Sequence, residues 1–210
     1  MSQPVLHIGN KRLSSWSLRP WLALNKAGIA FEENLIALDQ DDTHERLSAL
    51  SPAATVPVLE TSGGNIWDSL AICEWAAGQA PSLWPDDPAH RARARSITAS
   101  MHSGFSALRG ELPMDLQRSK AAKDMSVACW RDIEQIEALW VHVKTGEGPF
   151  LFGKWSIADA FFTPVATRFE TYDVPLSTDA AAYVEVLLAD PVYKDWHKAA
   201  QLETWDAPRH

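Results

Sequence analysis

The run Gly78-Gln79-Ala80-Pro81-Ser82-Leu83-Trp84-Pro85-Asp86-Asp87-Pro88 divides the chain into unlike halves, because its three prolines interrupt any regular element. Before it, strand-like and helical patterns alternate. After it every periodic stretch reads as helix, and no alternating run of strand length appears beyond Trp67. That order excludes a single doubly wound sheet and predicts a mixed α/β domain followed by an all-α helical bundle. The expected division is a first domain at residues 1–80, a linker at 81–88 and a helical domain at 89–210.

Within the first half, Val5-Leu6-His7-Ile8 reads as a buried strand, Gly9-Asn10-Lys11-Arg12 as a turn, and Ser17 onward as a helix with Leu18, Trp21, Leu22 and Leu24 apolar. Gly28 is its expected stop, and Phe31 to Ala37 alternates as a second strand. Two parallel strands joined through a helix imply a right-handed crossover, which fits the first half of a thioredoxin-like domain. Thr43 to Leu50 reads as a short helix ended by Ser51-Pro52. Val56-Pro57-Val58-Leu59 is a strand containing a proline, which requires an edge position or a cis bond. Gly63-Gly64 then turns the chain into Asn65-Ile66-Trp67, and Asp68 or Ser69 opens a helix through Leu70, Ile72, Cys73 and Trp75. Beyond the linker, helices are expected at Ala89 to Glu111, Lys120 to Lys144, Ser156 to Thr171, Ala180 to Leu188 and from Pro191. Ser156-Ile157-Ala158-Asp159 has the form of a capping box, with Asp where Glu is more usual.

Composition limits the partners. A net charge of −8 without long acidic blocks argues against nucleic acid or an anionic membrane surface, so an anionic ligand must be held by local donors. No run reaches the length of a membrane span and no signal-peptide pattern opens the chain, so a cytoplasmic protein is expected. Cys73 and Cys129 lie far apart and lack a Cys-x-x-Cys partner, which argues against a disulfide framework or a dithiol centre. The seven histidines form no ligand-spaced cluster, and no metal is expected.

Chemistry concentrates where helices begin. In Leu13-Ser14-Ser15-Trp16-Ser17-Leu18-Arg19-Pro20-Trp21 two hydroxyls stand where a strand hands over to a helix, beside unpaired N–H groups at the positive end of the helix dipole. Asp68-Ser69 forms a second anion-favouring helix start. Helix capping alone accounts for serine or aspartate at such positions.

The Ser14-Ser15-Trp16-Ser17-Leu18-Arg19 stretch, Ala54-Thr55-Val56-Pro57-Val58-Leu59, the Asp68-Ser69 pair and Ser156-Ile157-Ala158-Asp159 occur in that order over nearly the whole chain. In these motifs the chain resembles the cytosolic glutathione S-transferases, closest to zeta-like bacterial members. The resemblance implies a thioredoxin-like domain followed by a helical one, glutathione as co-substrate, a homodimer, and a detoxifying transferase that attacks a small hydrophobic electrophile with bound thiolate. It carries the thiolate donor to Ser14, with Ser15 as the alternative. Glutathione-binding positions become Trp16, Val56, the cis-proline Pro57, Asp68 for the ligand's ammonium and Ser69 for its carboxylate. Candidates around the electrophile are Leu13, Met101, His102, Phe105, Arg109 and Arg168. Met101, Phe105 and Arg109 recur at helical spacing, although core packing is the commoner role of an apolar stripe. Arg19 matches the motif's arginine and would also be ordinary as an exposed helix residue; Arg91, Arg93 and Arg95 read as solvated or subunit-facing.

Lowering a thiol by two units from about 8.5 needs roughly 2.7 kcal/mol, which one hydroxyl-to-anion bond of about 1.5–3 kcal/mol and a helix terminus of about 0.3–1 kcal/mol supply together. No general base is required. The zeta pattern has cysteine at the Trp16 position, so a glutathione-dependent cis–trans isomerase of the maleylacetoacetate type stands as the alternative to conjugation. A non-catalytic interaction protein on the same fold is a further alternative. A thiol reductase would want a cysteine in the serine loop, which has none.

Overall fold

The computed structural model describes residues 3–118 and 123–204. Its single sheet has the order β2-β1-β3-β4, with β1 at Val5–Ile8, β2 at Glu32–Leu35, β3 at Val58–Thr61 and β4 at Gly64–Ile66. β1 pairs parallel with β2 and antiparallel with β3, and β3 pairs antiparallel with β4. The β1–β2 crossover runs through α1 at Ser15–Lys26, so the expected strand–helix–strand unit is present. Helix α1 begins two residues earlier than the sequence pattern suggested and ends ahead of Gly28, whose φ of +67° is the left-handed conformation that glycine adopts without strain.

Helix α2 spans Thr43–Leu50, as expected. The proline problem is solved by register and by isomer together: β3 is a central strand, it begins only at Val58, and the Val56–Pro57 bond ahead of it is cis. The hairpin loop is shifted by one residue, since Thr61 pairs with Gly64 and leaves Ser62-Gly63 as the turn. Helix α3 covers Ser69–Gln79 and is capped by Asp68. A single 3-10 turn at Pro81–Leu83 occupies part of the expected linker, and α4 opens at Pro88 with Asp87 as its cap.

The expected helix from Ala89 to Glu111 is two helices, α4 at Pro88–Ser103 and α5 at Ser106–Glu111. The break falls at Gly104-Phe105. A β-carbon on Gly104 would stand 2.8 Å from the Ser100 carbonyl oxygen, and Phe105 has a φ of +61°. The next helix, expected from Lys120, is α6 at Val127–Val143; residues 120–122 of that reading lie outside the described residues. Then follow α7 at Ile157–Thr171, α8 at Thr178–Ala189 and α9 at Pro191–Gln201.

Helix α7 is the axis of the helical part. Nearly all of its residues are buried, including Phe161, Phe162, Val165 and Phe169, and it packs against α1, α4 and α8. Its start is held as the capping box predicted, with the Ser156 N–H and O–H both donating to Asp159. Because α1 packs on α3 along one side and on α7 and α9 along the other, its N-terminus is fixed by both halves of the chain.

Candidate active site

A cleft of about 500 Å³ opens at the N-termini of α1 and α3. It is lined by Leu13, Ser14, Ser15, Trp16, Val56, Pro57, Asp68, Ser69 and His102, together with Leu38, Leu47, Ala54 and Thr55. Stretches far apart in sequence thus meet because β1 and β3 are neighbours, so that the loop leading into α1 and the chain entering β3 lie side by side.

The two serines differ in their surroundings. Ser14 is the N-cap of α1: its Oγ accepts from the Ser17 N–H at 3.3 Å and shares a hydroxyl–hydroxyl hydrogen bond with Ser17 Oγ at 2.7 Å. Ser17 Oγ in turn accepts from the Gly9 N–H, tying the helix start to the end of β1. Ser15, the first helical residue, accepts at 3.2 Å from the Arg168 guanidinium on α7.

The loop ahead of them is clamped from the distant end of the chain. Glu203 accepts from the backbone N–H groups of Lys11 and Arg12 at 2.6 and 3.0 Å, and the Trp196 indole donates to the Lys11 carbonyl. Arg12 forks onto both oxygens of Asp115 at 2.6 and 2.8 Å.

Asp68 caps α3 by accepting from the Leu70 and Ala71 N–H groups, and its other oxygen lies 3.0 Å from His102 Nε2 on α4. Beside it the Ser69 hydroxyl is wholly buried and has no partner among the described residues. An unpartnered buried hydroxyl is costly unless something arrives to bond it.

Behind the cleft lies a cluster of three arginines, Arg19, Arg109 and Arg168, all of which the sequence singled out. Arg19 is not the exposed helix residue that its type suggested. It is 1% exposed, and its guanidinium carbon lies 4.3 Å from the Trp16 ring centroid and 4.6 Å from that of Phe161. Arg109 lies over the same Trp16 ring at 4.9 Å and donates to the carbonyls of Met101 and His102. Arg168 is buried on α7. Burial, then the neighbouring charges of Arg109 and Arg168, hold the Arg19 cation well below its ordinary range. Burial first and Arg109 second push Arg168 down to about 10, so it remains charged at neutral pH. Apart from Ser51 Oγ and Trp140 Nε1, every buried side-chain polar atom without a partner among the described residues belongs to this cluster, to Ser69 or to His102.

Four expected electrophile-site residues do not line the cleft: Met101, Phe105, Arg109 and Arg168. Met101 is wholly buried, and the left-handed backbone at Phe105 breaks the helical spacing that linked it to Met101 and Arg109. Leu13, Trp16 and His102 do line it, with the Trp16 and His102 rings edge to face at 5.4 Å. Arg91, Arg93 and Arg95 have partners within the chain: Arg91 bonds the Pro85 and Asp86 carbonyls, Arg93 the His142 carbonyl, and Arg95 pairs with Glu74. The described residues contain no group of side chains arranged to hold a metal ion.

The family model described as the glutathione S-transferase N-terminal domain matches residues 13–79, the segment that carries most of the cleft. A probable maleylacetoacetate isomerase of Caenorhabditis elegans is 30% identical, with 83% of each chain covered. Maleylacetoacetate isomerase of Rattus norvegicus is 30% identical over 83% of this chain and 82% of its own, and maleylpyruvate isomerase of a Ralstonia species is 26% identical. Among solved structures, a glutathione transferase homologue from Burkholderia with bound glutathione superposes with a TM-score of 0.75, covering 95% of this chain and 99% of that one at 22% identity. With a thioredoxin-like sheet domain, a helical second part and these relatives, the chain belongs to the cytosolic glutathione S-transferase family and is a glutathione-dependent enzyme.

Proposed function

We propose that the cleft binds glutathione with its thiol at the start of α1 and its γ-glutamyl end at the start of α3, and that the bound thiolate conjugates a small hydrophobic electrophile. The observation that carries this is the convergence of two helix N-termini on one cleft, each presenting a serine hydroxyl, with the cis Val56–Pro57 segment between them. Ser69 would donate to the ligand's carboxylate, Asp68 would accept from its ammonium, and the backbone of Val56 would pair with its central peptide. Trp16, Leu13 and His102 would face the electrophile. The division into domains at 1–80 and 89–210, a cytoplasmic location and a two-fold homodimer belong to the same proposal.

Of the two serines, Ser15 is the better thiolate donor, because Ser14 Oγ already pairs with both the N–H and the hydroxyl of Ser17, whereas Ser15 Oγ has only the Arg168 guanidinium. Retention on immobilised glutathione, followed by conjugation of 1-chloro-2,4-dinitrobenzene, tests the reading. Binding without turnover would point to the non-catalytic alternative, and absence of binding would overturn the assignment of the cleft.

The cationic cluster behind the serines favours a second reading. Relatives named maleylacetoacetate and maleylpyruvate isomerases have substrates that carry carboxylates, and Arg168 and Arg109, although outside the cleft lining, are cations in contact with Ser15 and Trp16, which belong to it. Against it stands Trp16 in the place of the zeta pattern's cysteine, which puts an indole rather than a thiol in the cleft lining. Assay of a cis-enedione carboxylate with catalytic glutathione separates the two reactions, since isomerisation consumes no thiol.

A further inference from the structure

Arg168 was expected at the electrophile, yet in the structure it does not line the cleft and instead bonds the hydroxyl of Ser15, which does. One guanidinium nitrogen, Nη1, donates to the Pro164 carbonyl at 2.9 Å, Nη2 donates to Ser15 Oγ at 3.2 Å, and Nε is buried with no partner. A guanidinium only donates, whereas a hydroxyl has one proton to give and two lone pairs to receive with. Ser15 must therefore accept from Arg168, which leaves its own O–H free for another acceptor.

Charge adds to orientation. Among the described residues no carboxylate pairs with Arg168, and Arg19 and Arg109 add further positive charge nearby. A buried cation without a counter-charge is unfavourable unless an anion comes to it. A sulfur anion held by Ser15 supplies one.

We propose that Arg168 is a positioning residue for the thiolate donor: it occupies the acceptor side of Ser15 Oγ, aims the Ser15 O–H into the cleft, and favours the anionic form of a thiol bound there. The thiol proton leaves to solvent, and no bond other than S–H is broken. This rests on the reading of the cleft as the glutathione site. The effect works through Ser15, so it differs in kind from substrate binding by an arginine.

The test is a titration of bound glutathione near 240 nm in the wild type, Ser15→Ala, Arg168→Met, Arg168→Lys and the Ser15→Ala/Arg168→Met double variant. Ser15→Ala and Arg168→Met are each expected to raise the thiol pKa by about one unit or more, and the double variant by clearly less than the sum of the two. The pH profile of kcat should move upward by the same amount, while KM for glutathione stays within about twofold. Arg168→Lys, which keeps the charge but not the fork, should fall between wild type and Arg168→Met, and it serves as the measurement if Arg168→Met does not fold. A wild-type pKa in Arg168→Met, or additive shifts in the double variant, would overturn the proposal and leave the glutathione reading standing. A wild type that shows no bound thiolate at all overturns both.

Discussion

At the scale of single residues, the site depends on which hydroxyl is free and on what surrounds Trp16. Ser15→Ala should lower turnover at least tenfold, and by leaving a buried Arg168 N–H without its partner it should cost about 1–3 kcal/mol of stability. Ser14→Ala should cost about 1 kcal/mol of stability, as loss of an N-cap does, with a smaller kinetic effect. Urea denaturation and steady-state kinetics on the same two variants check this, and a reversed pattern would return the thiolate to Ser14. Ser69→Ala should raise KM for glutathione and leave kcat close to wild type, because its hydroxyl lies away from the reacting sulfur at the start of α3. Trp16 touches two guanidiniums and the His102 ring. Cation–π contacts of about 0.5–2 kcal/mol each, added to lost packing, put the cost of Trp16→Ala at about 2–4 kcal/mol. A shift in the urea midpoint that corresponds to less than 1 kcal/mol would show that the arginines hold together without the indole.

At the scale of elements, the starts of α1 and α7 are secured in different ways, and each can be tested. For α7 a Ser156 cap alone would be worth about 1 kcal/mol, but Asp159 also accepts from the Leu151 N–H and the Tyr183 O–H, so Asp159→Ala should cost about 3 kcal/mol or more. The loop ahead of α1 hangs partly on Asp115. Burial opposes ionisation of its carboxyl, but the Arg12 fork, the Gln117 N–H and the charges of Arg12 and Arg118 outweigh it and hold the group below the usual carboxylate range. A depressed pKa in the folded state contributes stability that is present above the unfolded value of about 3.9 and is lost as pH falls through the folded one. Acid unfolding followed by circular dichroism should therefore be less steep below about pH 4 in Asp115→Asn than in the wild type. Elements with local signals were legible in the sequence: Gly28 as a stop, Thr43 to Leu50 as a helix, Ser156 to Asp159 as a box. The break at Gly104-Phe105 was not, because the spacing of Met101, Phe105 and Arg109 suits a helix and only contact with the Ser100 carbonyl shows why Gly104 is needed. Nor could sequence show that Arg19 is buried, since Phe161, which receives it, belongs to a helix formed more than a hundred residues later.

At the scale of the whole molecule, the two halves depend on each other, and the proposed dimer has to cover the apolar surface they leave over. Helix α1 presents Trp21 to Trp196 of α9 at 5.3 Å, and Lys26 pairs with Asp190 at 2.5 Å, so residues 1–80 expressed alone should be insoluble or molten. On the opposite side, α3 leaves Leu70, Ala71 and Trp75 only partly buried, and Trp67 just ahead of it is 42% exposed. A helix of the first domain cannot bury all of these groups against so small a sheet, and large exposed aromatics near a half-covered helix favour association. The most economical closure is two-fold, with α3 and its Trp67 end against the helical part of the partner. Size-exclusion chromatography with light scattering should give twice the chain mass at micromolar concentration. Trp67→Glu should shift that mass toward the monomer and leave circular dichroism unchanged. A wild type of monomeric mass would remove the dimer, and a Trp67→Glu variant that stays dimeric at nanomolar concentration would move the interface away from α3.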